Sequence, residues 1–178
     1  MPAALERERG QLVDAMADSQ AYLHGKRYAL YADPDQLIGY TAFLLDLGAE
    51  LAHVLSTSGN EDWAVKVRAL LASSPFGAGC KVYPKRDLWH LRSPMLTEPV
   101  DFLIGNTYGK YLERDTGAPL LRLVFPITDR HHYHRFATWG YSGGLWLPTM
   151  LLNEYVEALD ANTNIVGKTD YSYILVTF

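Results

Sequence analysis

The fold is decided by a continuous stretch near the start of the chain: Arg27–Tyr31 (RYALY), the turn Asp33-Pro34-Asp35, and Leu37–Leu47, which is followed by Gly48. RYALY is a short β-rich run, and an Asp-Pro-Asp sequence is typical of a turn. The apolar residues after the turn have helical spacing, and a glycine directly after them is a common helix stop. The stretch therefore predicts a strand, a loop and a helix in this order.

The same alternation continues on both sides of this stretch. We expect further strands at Leu51–Ser56, Lys81–Tyr83, Phe102–Ile104 and Leu120–Phe125, and further helices at Ala3–Leu23, Trp63–Leu71, Leu88–Leu91, Tyr108–Glu113 and Trp139–Asp160. Strands separated by helices require parallel crossovers, and short apolar strands are buried on both faces. The predicted fold class is α/β: a doubly wound, mostly parallel open sheet of Rossmann-like type, with a long N-terminal helix and a C-terminal helix.

The composition is typical of one compact domain. The chain has 178 residues, of which 48% are hydrophobic and 20% are charged. We expect an N-terminal linking helix over 1–25, an α/β sheet domain over 26–138, and a C-terminal helix and tail of the same domain over 139–178.

Charge and hydropathy exclude two classes of partner. The net charge is −4 and the basic residues are scattered, so no basic stripe follows a phosphate backbone and no nucleic acid is expected. The longest uncharged run, Phe136–Asn153, is interrupted by three glycines and a proline, which argues against a membrane span. The opening sequence MPAALERERG lacks the apolar stretch of a secretory signal, which predicts a cytoplasmic location.

The cysteine count restricts cluster chemistry. Cys80 is the single cysteine, so this chain alone cannot supply the several thiolates that hold an iron–sulfur cluster. Ligands in open α/β sheets bind beyond the carboxyl ends of the strands. The polar loops predicted there carry no glycine-rich phosphate-binding motif; they are Asp33 with Asp35, Thr57–Asn60, Asn106–Lys110 and Asp129–His134.

Two aspartates form a candidate metal site. Asp14 and Asp18 are four residues apart on the first predicted helix, so their Cβ atoms lie about 5–6 Å apart on one face. Solvent, a neighbouring cation or a divalent metal ion would relieve their repulsion. From the residues alone, a solvated helix face is favoured over a metal site, because exposed acidic pairs are common.

The histidines favour structural roles. In the sequence DRHHYHR (Asp129–Arg135), the flanking Arg130 and Arg135 work against a metal cation, which favours hydrogen bonding and interface contacts. His90 is interpreted as a core histidine on a predicted helix. His24 follows a helix C-terminus, where a capping role suffices.

Several uninterrupted segments of the sequence closely resemble the last third of nitrogenase molybdenum–iron protein β chains. Vanadium-type β chains are a close second. The segments occur in the right order over nearly the whole chain: Glu8–Asp18 (ERGQLVDAMAD), Tyr22–Leu30 (YLHGKRYAL), Asp87–Ser93 (DLWHLRS), Pro99–Asp115 (PVDFLIGNTYGKYLERD), Phe125–Arg135 (FPITDRHHYHR), Thr138–Gly144 (TWGYSGG) and Gly167–Ser172 (GKTDYS).

The resemblance implies the C-terminal α/β domain of a β subunit in an α2β2 tetramer that reduces dinitrogen to ammonia. It implies an α chain, a second β chain and a transient, ATP-hydrolysing iron protein as partners. In that family, cysteines of the α chain and of the earlier part of the β chain hold the P-cluster, and the α chain holds the iron–molybdenum cofactor. This chain contains none of those positions, so no cofactor is expected to bind to it alone.

The resemblance also favours the metal interpretation of Asp14 and Asp18. Two aspartates at the matching positions contribute, in the family, to a mononuclear iron or calcium site between the two β chains. The remaining ligands come from the other β chain. We therefore expect these residues to bind metal in the complete subunit and only weakly in this chain, because two carboxylates leave most of the ligand shell to water.

The sequence departs from the family pattern in three places. The loop Ser58–Trp63 is acidic where many members carry lysine or arginine for docking the iron protein, which would weaken electrostatic steering. Ala32 replaces the usual glycine before Asp-Pro-Asp, and the tail ends in ILVTF (Ile174–Phe178).

Three functional hypotheses remain. The leading one is a structural and intersubunit-interface domain that is catalytically silent alone. The second is a freestanding α/β binding module without clusters. The third is an independent enzyme with His131, His132 or His134 as a general base.

Overall fold

A computed structural model describes residues 2–131 and 135–163 of the chain. The helices are α1 (Ala3–Leu23), α2 (Pro34–Asp46), α3 (Glu61–Ala72), α4 (Leu88–Thr97), α5 (Lys110–Thr116) and α6 (Gly140–Asn162). The strands are β1 (Arg27–Tyr31), β2 (Glu50–Ser56), β3 (Lys81–Pro84), β4 (Phe102–Gly105) and β5 (Leu120–Arg122). The family-like segment Gly167–Ser172 and the divergent tail Ile174–Phe178 lie outside the described residues.

The described strands form one parallel sheet in the order β3-β2-β1-β4-β5. β1 therefore lies at the centre and pairs with β2 on one side and with β4 on the other. A bulge between Tyr28 and Ala29 shifts the register with β2. The predicted α/β class and the doubly wound parallel sheet are confirmed.

Helices cover both faces of the sheet, and successive residues of β1 point to opposite faces, as a strand requires. Tyr28 and Leu30 belong to the larger core, together with residues of α2, α3 and α6. Ala29 and Tyr31 belong to the smaller core, together with residues of α4 and α5. All four side chains are at most 4% exposed, which explains why the strand is apolar throughout.

The segment between β1 and β2 folds for local reasons that the sequence already shows. Pro34 occupies the first turn of α2, where its missing N–H costs no hydrogen bond. Gly48 follows the helix with a φ of 76°, a left-handed conformation that glycine adopts without steric penalty. The buried residues of α2 recur at helical spacing: Leu37, Tyr40, Thr41, Leu44 and Leu45.

Two predicted boundaries were wrong. α4 does not end at Leu91 but continues through Pro94 to Thr97. Leu91 and Met95 are one helical turn apart and both at most 1% exposed, so packing against the sheet holds the helix together despite the proline. β5 ends at Arg122 because the N–H groups of Leu123 and Val124 both donate to the Gly105 carbonyl, which ends the regular ladder.

The last predicted helix before β5 is also displaced. Thr107–Gly109 forms a 3₁₀ turn, and α5 begins only at Lys110. Asn106 caps the 3₁₀ turn by accepting a hydrogen bond from Tyr108 N at 3.0 Å. No described helix is long and apolar enough to cross a membrane.

The sheet contains a buried histidine that sequence reasoning did not identify. His53, on β2, is completely buried. Its Nε2 atom lies 3.4 Å from the Glu98 carbonyl oxygen, and its Nδ1 atom lies 3.3 Å from the Tyr83 hydroxyl. Burial lowers the pKa of His53 below its ordinary value, and the Glu98 carbonyl only partly offsets this effect.

The buried His53 predicts a pH-dependent stability. Because its pKa is lower in the folded chain, the unfolded chain binds the proton more readily as the pH falls below about 6.5. This contribution to stability is fully present above that pH and is lost as the pH falls toward the lowered pKa. In urea unfolding between pH 7.5 and 5.5, His53→Gln should therefore show a shallower pH dependence than the wild type.

The matched control is His90→Gln, since His90 is exposed on α4. This variant should keep the wild-type pH dependence of the free energy of unfolding. An unchanged slope in His53→Gln would show that His53 does not cause the dependence.

Candidate functional site

A crevice opens where the strand order reverses, between the carboxyl ends of β1 and β4. Such a topological switch point is where ligands bind in open α/β sheets. The crevice has a volume of about 150 Å³. The residues that line it come from five segments: Tyr31, Ala32, Asp33, Leu55, Thr57, Leu88, Asn106, Tyr108, Val124 and Phe125.

Tyr31 joins the two strands that form the crevice. Its hydroxyl accepts a hydrogen bond from Asn106 N at 2.9 Å and lies 2.7 Å from the Asn106 carbonyl oxygen. Burial raises the pKa of Tyr31, and hydrogen bonding with the Asn106 and Gly109 backbone only partly offsets this effect. The phenol therefore stays neutral and acts as a hydrogen-bonding tie between the ends of β1 and β4.

This tie requires glycine on the β4 side. A Cβ atom at Gly105 would lie 2.0 Å from Cε1 of the Tyr31 ring, and one at Gly109 would lie 2.6 Å from its hydroxyl oxygen. Both distances are far shorter than a van der Waals contact. The close packing of Tyr31 therefore requires the two glycines of the segment IGNTYG (Ile104–Gly109).

A buried ion pair holds the segment that follows β5. Arg122 is 6% exposed, and its Nε donates to both Asp129 carboxylate oxygens, at 3.1 and 3.0 Å. Thr107 Oγ1 also donates to Asp129, at 2.9 Å, and accepts from Thr128 N at 2.8 Å. Glu113 Oε2 lies 3.6 Å from the Arg122 guanidinium on the other side.

The environment of Asp129 explains its protonation state. Partial burial by itself would raise its pKa, but hydrogen bonds from Thr107 and Arg122, and the Arg122 charge, outweigh burial and lower the pKa. The ionised carboxylate therefore pairs with Arg122 and ties the 125–129 segment to the sheet. Sequence reasoning missed Arg122, although a charged residue within the apolar run LLRLVF (Leu120–Phe125) indicates such a partner.

The predicted metal ligands lie away from this crevice. Asp14 and Asp18 are exposed on α1, and no described residue forms a salt bridge with either. Their four-residue spacing on a regular helix places both on one face. Within residues 2–131 and 135–163, no group of three or more potential metal ligands lies together.

The histidines identified from the sequence lie in different environments. His131 is exposed, while His132 and His134 lie outside the described residues. The interpretation of His90 as a core histidine was wrong, because His90 is exposed and its ring meets Tyr83 edge-on at 5.1 Å. The next residue of α4, Leu91, is the one that is buried. His24 follows α1 as its C-cap residue, and its ring packs edge-on against Phe76.

The acidic loop before α3 has a clear local structure. Asn60 caps the helix by accepting a hydrogen bond from Trp63 N at 2.9 Å. Glu61 and Asp62 lie in the first turn, where negative charge is favoured by the helix dipole. Glu61 also pairs with Arg68 on the same helix. The two acidic residues therefore stabilise the start of α3.

The buried ion pair predicts the effect of Asp129→Ala. Removing Asp129 leaves the Arg122 charge buried with only the more distant Glu113 as a partner, which should cost about 2–3 kcal/mol of stability. The matched control is Asp115→Ala. The Arg92–Asp115 pair is more exposed, at 35% and 27%, so its loss should cost about 1 kcal/mol or less. Equal losses in urea unfolding would contradict the special role of Asp129.

Comparisons with known proteins agree with the resemblance noted above. The chain is 62% identical over 99% of its length to the nitrogenase molybdenum–iron protein β chain of Bradyrhizobium diazoefficiens, and 57% identical over 97% to that of Acidithiobacillus ferridurans. It covers 34% and 33% of these relatives, so it spans about a third of the length of the curated relatives it matches.

A solved structure and a family model point in the same direction. A structure of nitrogenase Cp1 at pH 6.5 superposes with a TM-score of 0.88 at 35% identity, over 92% of this chain and 36% of that chain. The model that describes nitrogenase component 1 type oxidoreductases matches residues 1–155. The chain therefore belongs to the nitrogenase component 1 type oxidoreductase family.

Proposed function

We propose that this chain is the C-terminal structural and intersubunit-interface domain of a nitrogenase molybdenum–iron protein β subunit. In this proposal, dinitrogen reduction belongs to the complete complex, and the chain is catalytically silent alone. The observation that carries the proposal is the identity of 49–62% to molybdenum–iron protein β chains, which extends over 99% of this chain in the relatives at both ends of that range.

The proposal assigns the P-cluster and the iron–molybdenum cofactor to other parts of the complex. The donor set of this chain supports that assignment, because Cys80 is its single cysteine. Burial raises the pKa of the Cys80 thiol to about 12, so the thiolate that a metal requires is disfavoured. The chain's contribution is then to fold, to pack against neighbouring subunits and to hold their contacts.

Helix α1 has the surface expected of an interface element. Of its 21 residues, only Ser19 and Leu23 are buried. Its exposed residues include apolar side chains, with Leu5 41%, Val13 54% and Tyr22 52% exposed. Within this chain α1 packs against α6. Its remaining exposed apolar residues suit packing against a second partner. In the proposed assembly, α1 lies at the contact with the second β chain.

The remaining partners and the location follow from the same assignment. The α chain completes the α2β2 tetramer, and the iron protein binds transiently to deliver electrons. The complex works in the cytoplasm. The exposed Glu61 and Asp62 change the charge expected at the iron-protein docking region, which would slow association at low ionic strength.

A chimeric β subunit tests the proposed function. The matching third of the Bradyrhizobium diazoefficiens molybdenum–iron protein β chain would be replaced by this chain, and acetylene and dinitrogen reduction would be measured after purification. Because 62% of the residues are identical, the chimera should assemble with the α chain and keep activity, whereas this chain alone should show none.

The control for the chimera is a β chain in which the same third is deleted. The deletion should abolish assembly, which shows that the activity of the chimera depends on this segment. A chimera that fails to assemble, although circular dichroism shows this chain folded, would contradict the proposal and favour a freestanding module.

Asp14 and Asp18 are proposed as ligands of an iron or calcium ion shared by two β chains. The exposed, adjacent carboxylates fit a hard cation that takes oxygen ligands, and two carboxylates alone bind weakly. In the chimeric tetramer, Asp14→Asn with Asp18→Asn should lower the content of this ion, measured by mass spectrometry of the digested protein. The folding of the isolated chain should not change.

The matched control is Asp46→Asn with Glu50→Gln, which removes the same charge from the exposed surface at the end of α2 and the start of β2. It should leave the metal content unchanged. An unchanged metal content in the Asp14 and Asp18 variant would contradict the metal site and favour the alternative, a solvated helix face.

A further inference from the structure

The crevice at the carboxyl ends of β1 and β4 carries an inference beyond the proposed function. Its volume of about 150 Å³ is smaller than the 300–1,000 Å³ typical of sites for drug-sized ligands. The space suits one side chain and is too small for a nucleotide or a cofactor. All the residues that line it belong to this chain.

The chemistry of the lining selects the charge of the occupant. Among the described residues that line the crevice, Asp33 carries the one formal charge, and no lysine or arginine lines it. The floor includes the buried side chains of Leu55 and Val124. A carboxylate above an apolar floor favours a cationic group with an apolar stem and disfavours an anion.

Asp33 is available for a ligand. It is the residue that precedes α2, yet its side chain makes no capping hydrogen bond. Asn60 and Asp87, at the same position before α3 and α4, each accept a hydrogen bond from their helix. Nor does any described residue form a salt bridge with Asp33. Asp33 therefore lines the crevice with a carboxylate that makes no capping hydrogen bond and no salt bridge to a described residue.

Two aromatic rings at the mouth of the crevice are also uncovered. Tyr108 is 55% exposed and Phe125 is 72% exposed. Two other exposed rings, Trp89 and Tyr111, are covered by the chain's own cations: Arg92 lies over Trp89, and Arg114 lies over Tyr111. No described cation or ring covers Tyr108 or Phe125 in this way.

From these observations we propose that the crevice binds the guanidinium group of an arginine side chain presented by a partner polypeptide. A guanidinium group forms paired hydrogen bonds with a carboxylate and stacks on aromatic rings, which lysine does less well. Asp33 supplies the carboxylate, and Tyr108 and Phe125 supply the rings. A polypeptide is the source because it covers the exposed rings around the mouth, as protein interfaces do.

The first test uses N-acetyl-arginine-N-methylamide as the probe, titrated into the ¹⁵N-labelled chain and followed by NMR. The amide signals of Thr57 and Asn106 should shift in a saturable way. The citrulline analogue has the same shape without the charge, and it should bind about tenfold more weakly because it loses the charge-assisted hydrogen bonds. Equal binding of the two probes, or no shift at the crevice, would overturn the proposal.

Variants localise the effect to one carboxylate. Asp33→Asn should weaken binding of the arginine probe about tenfold. The matched control is Asp35→Asn, which removes the same charge from the first turn of α2 but lies outside the crevice. It should bind like the wild type. Equal weakening in both variants would show a diffuse charge effect and overturn the assigned site.

A peptide separates a polypeptide ligand from a free guanidinium compound. The capped pentapeptide Gly-Leu-Arg-Leu-Gly should bind several-fold more tightly than the single arginine amide, because its leucines cover the exposed rings. Phe125→Ala should weaken binding of both ligands, because its ring stacks on the guanidinium group, and it should weaken binding of the peptide more, because the ring also contacts the leucines. Equal affinity of the peptide and the single amide would overturn the assignment to a polypeptide. These tests use this chain alone, so their failure would not affect the proposed role in a β subunit.

Discussion

The pairing of β1 with strands on both sides is the constraint on which the rest of the structure depends. β1 bonds to β2 through one edge and to β4 through the other, and all four of its last residues are buried. The chain first winds away from β1 in one direction and then in the other, so helices must cover both faces. The loops at the carboxyl ends of β1 and β4 then diverge, and the crevice between them follows from this topology.

Buried polar groups join the strands of the sheet to the loops at its carboxyl edge. Tyr31 ties β1 to Asn106, and the Arg122–Asp129 pair ties the segment after β5 to the sheet and to Thr107. Each group would be costly to bury without its partner, so each fixes one arrangement of the loops around the crevice. The carboxyl edge is therefore rigid where its polar groups are paired, while Asp33, Tyr108 and Phe125 remain exposed there for a ligand.

The part of the fold that depends on local sequence could be predicted. The strand RYALY, the Asp-Pro-Asp turn and the helix before Gly48 carry short-range signals, and the bounds of α1 agree with its periodicity. The path of α4 through Pro94 could not be predicted, because the packing of Met95 against the sheet overrides the local signal. Contacts between residues far apart in the sequence could not be predicted either, since Tyr31 and Asn106 are 75 residues apart. The candidate ligands Asp14 and Asp18 were found by spacing and resemblance, whereas nothing local predicts that Asp33 lines a crevice.

The proposed function requires this chain to be one domain of a larger β subunit. The mass of the native polypeptide tests it most directly, using an antibody against the Pro99–Asp115 segment on extracts of nitrogen-starved source cells. The chain has a mass of 20.0 kDa and covers 34% of the length of its Bradyrhizobium diazoefficiens relative. If the chain is part of a β subunit, the band should be roughly threefold heavier than the chain. A single band at the mass of the chain itself would contradict it.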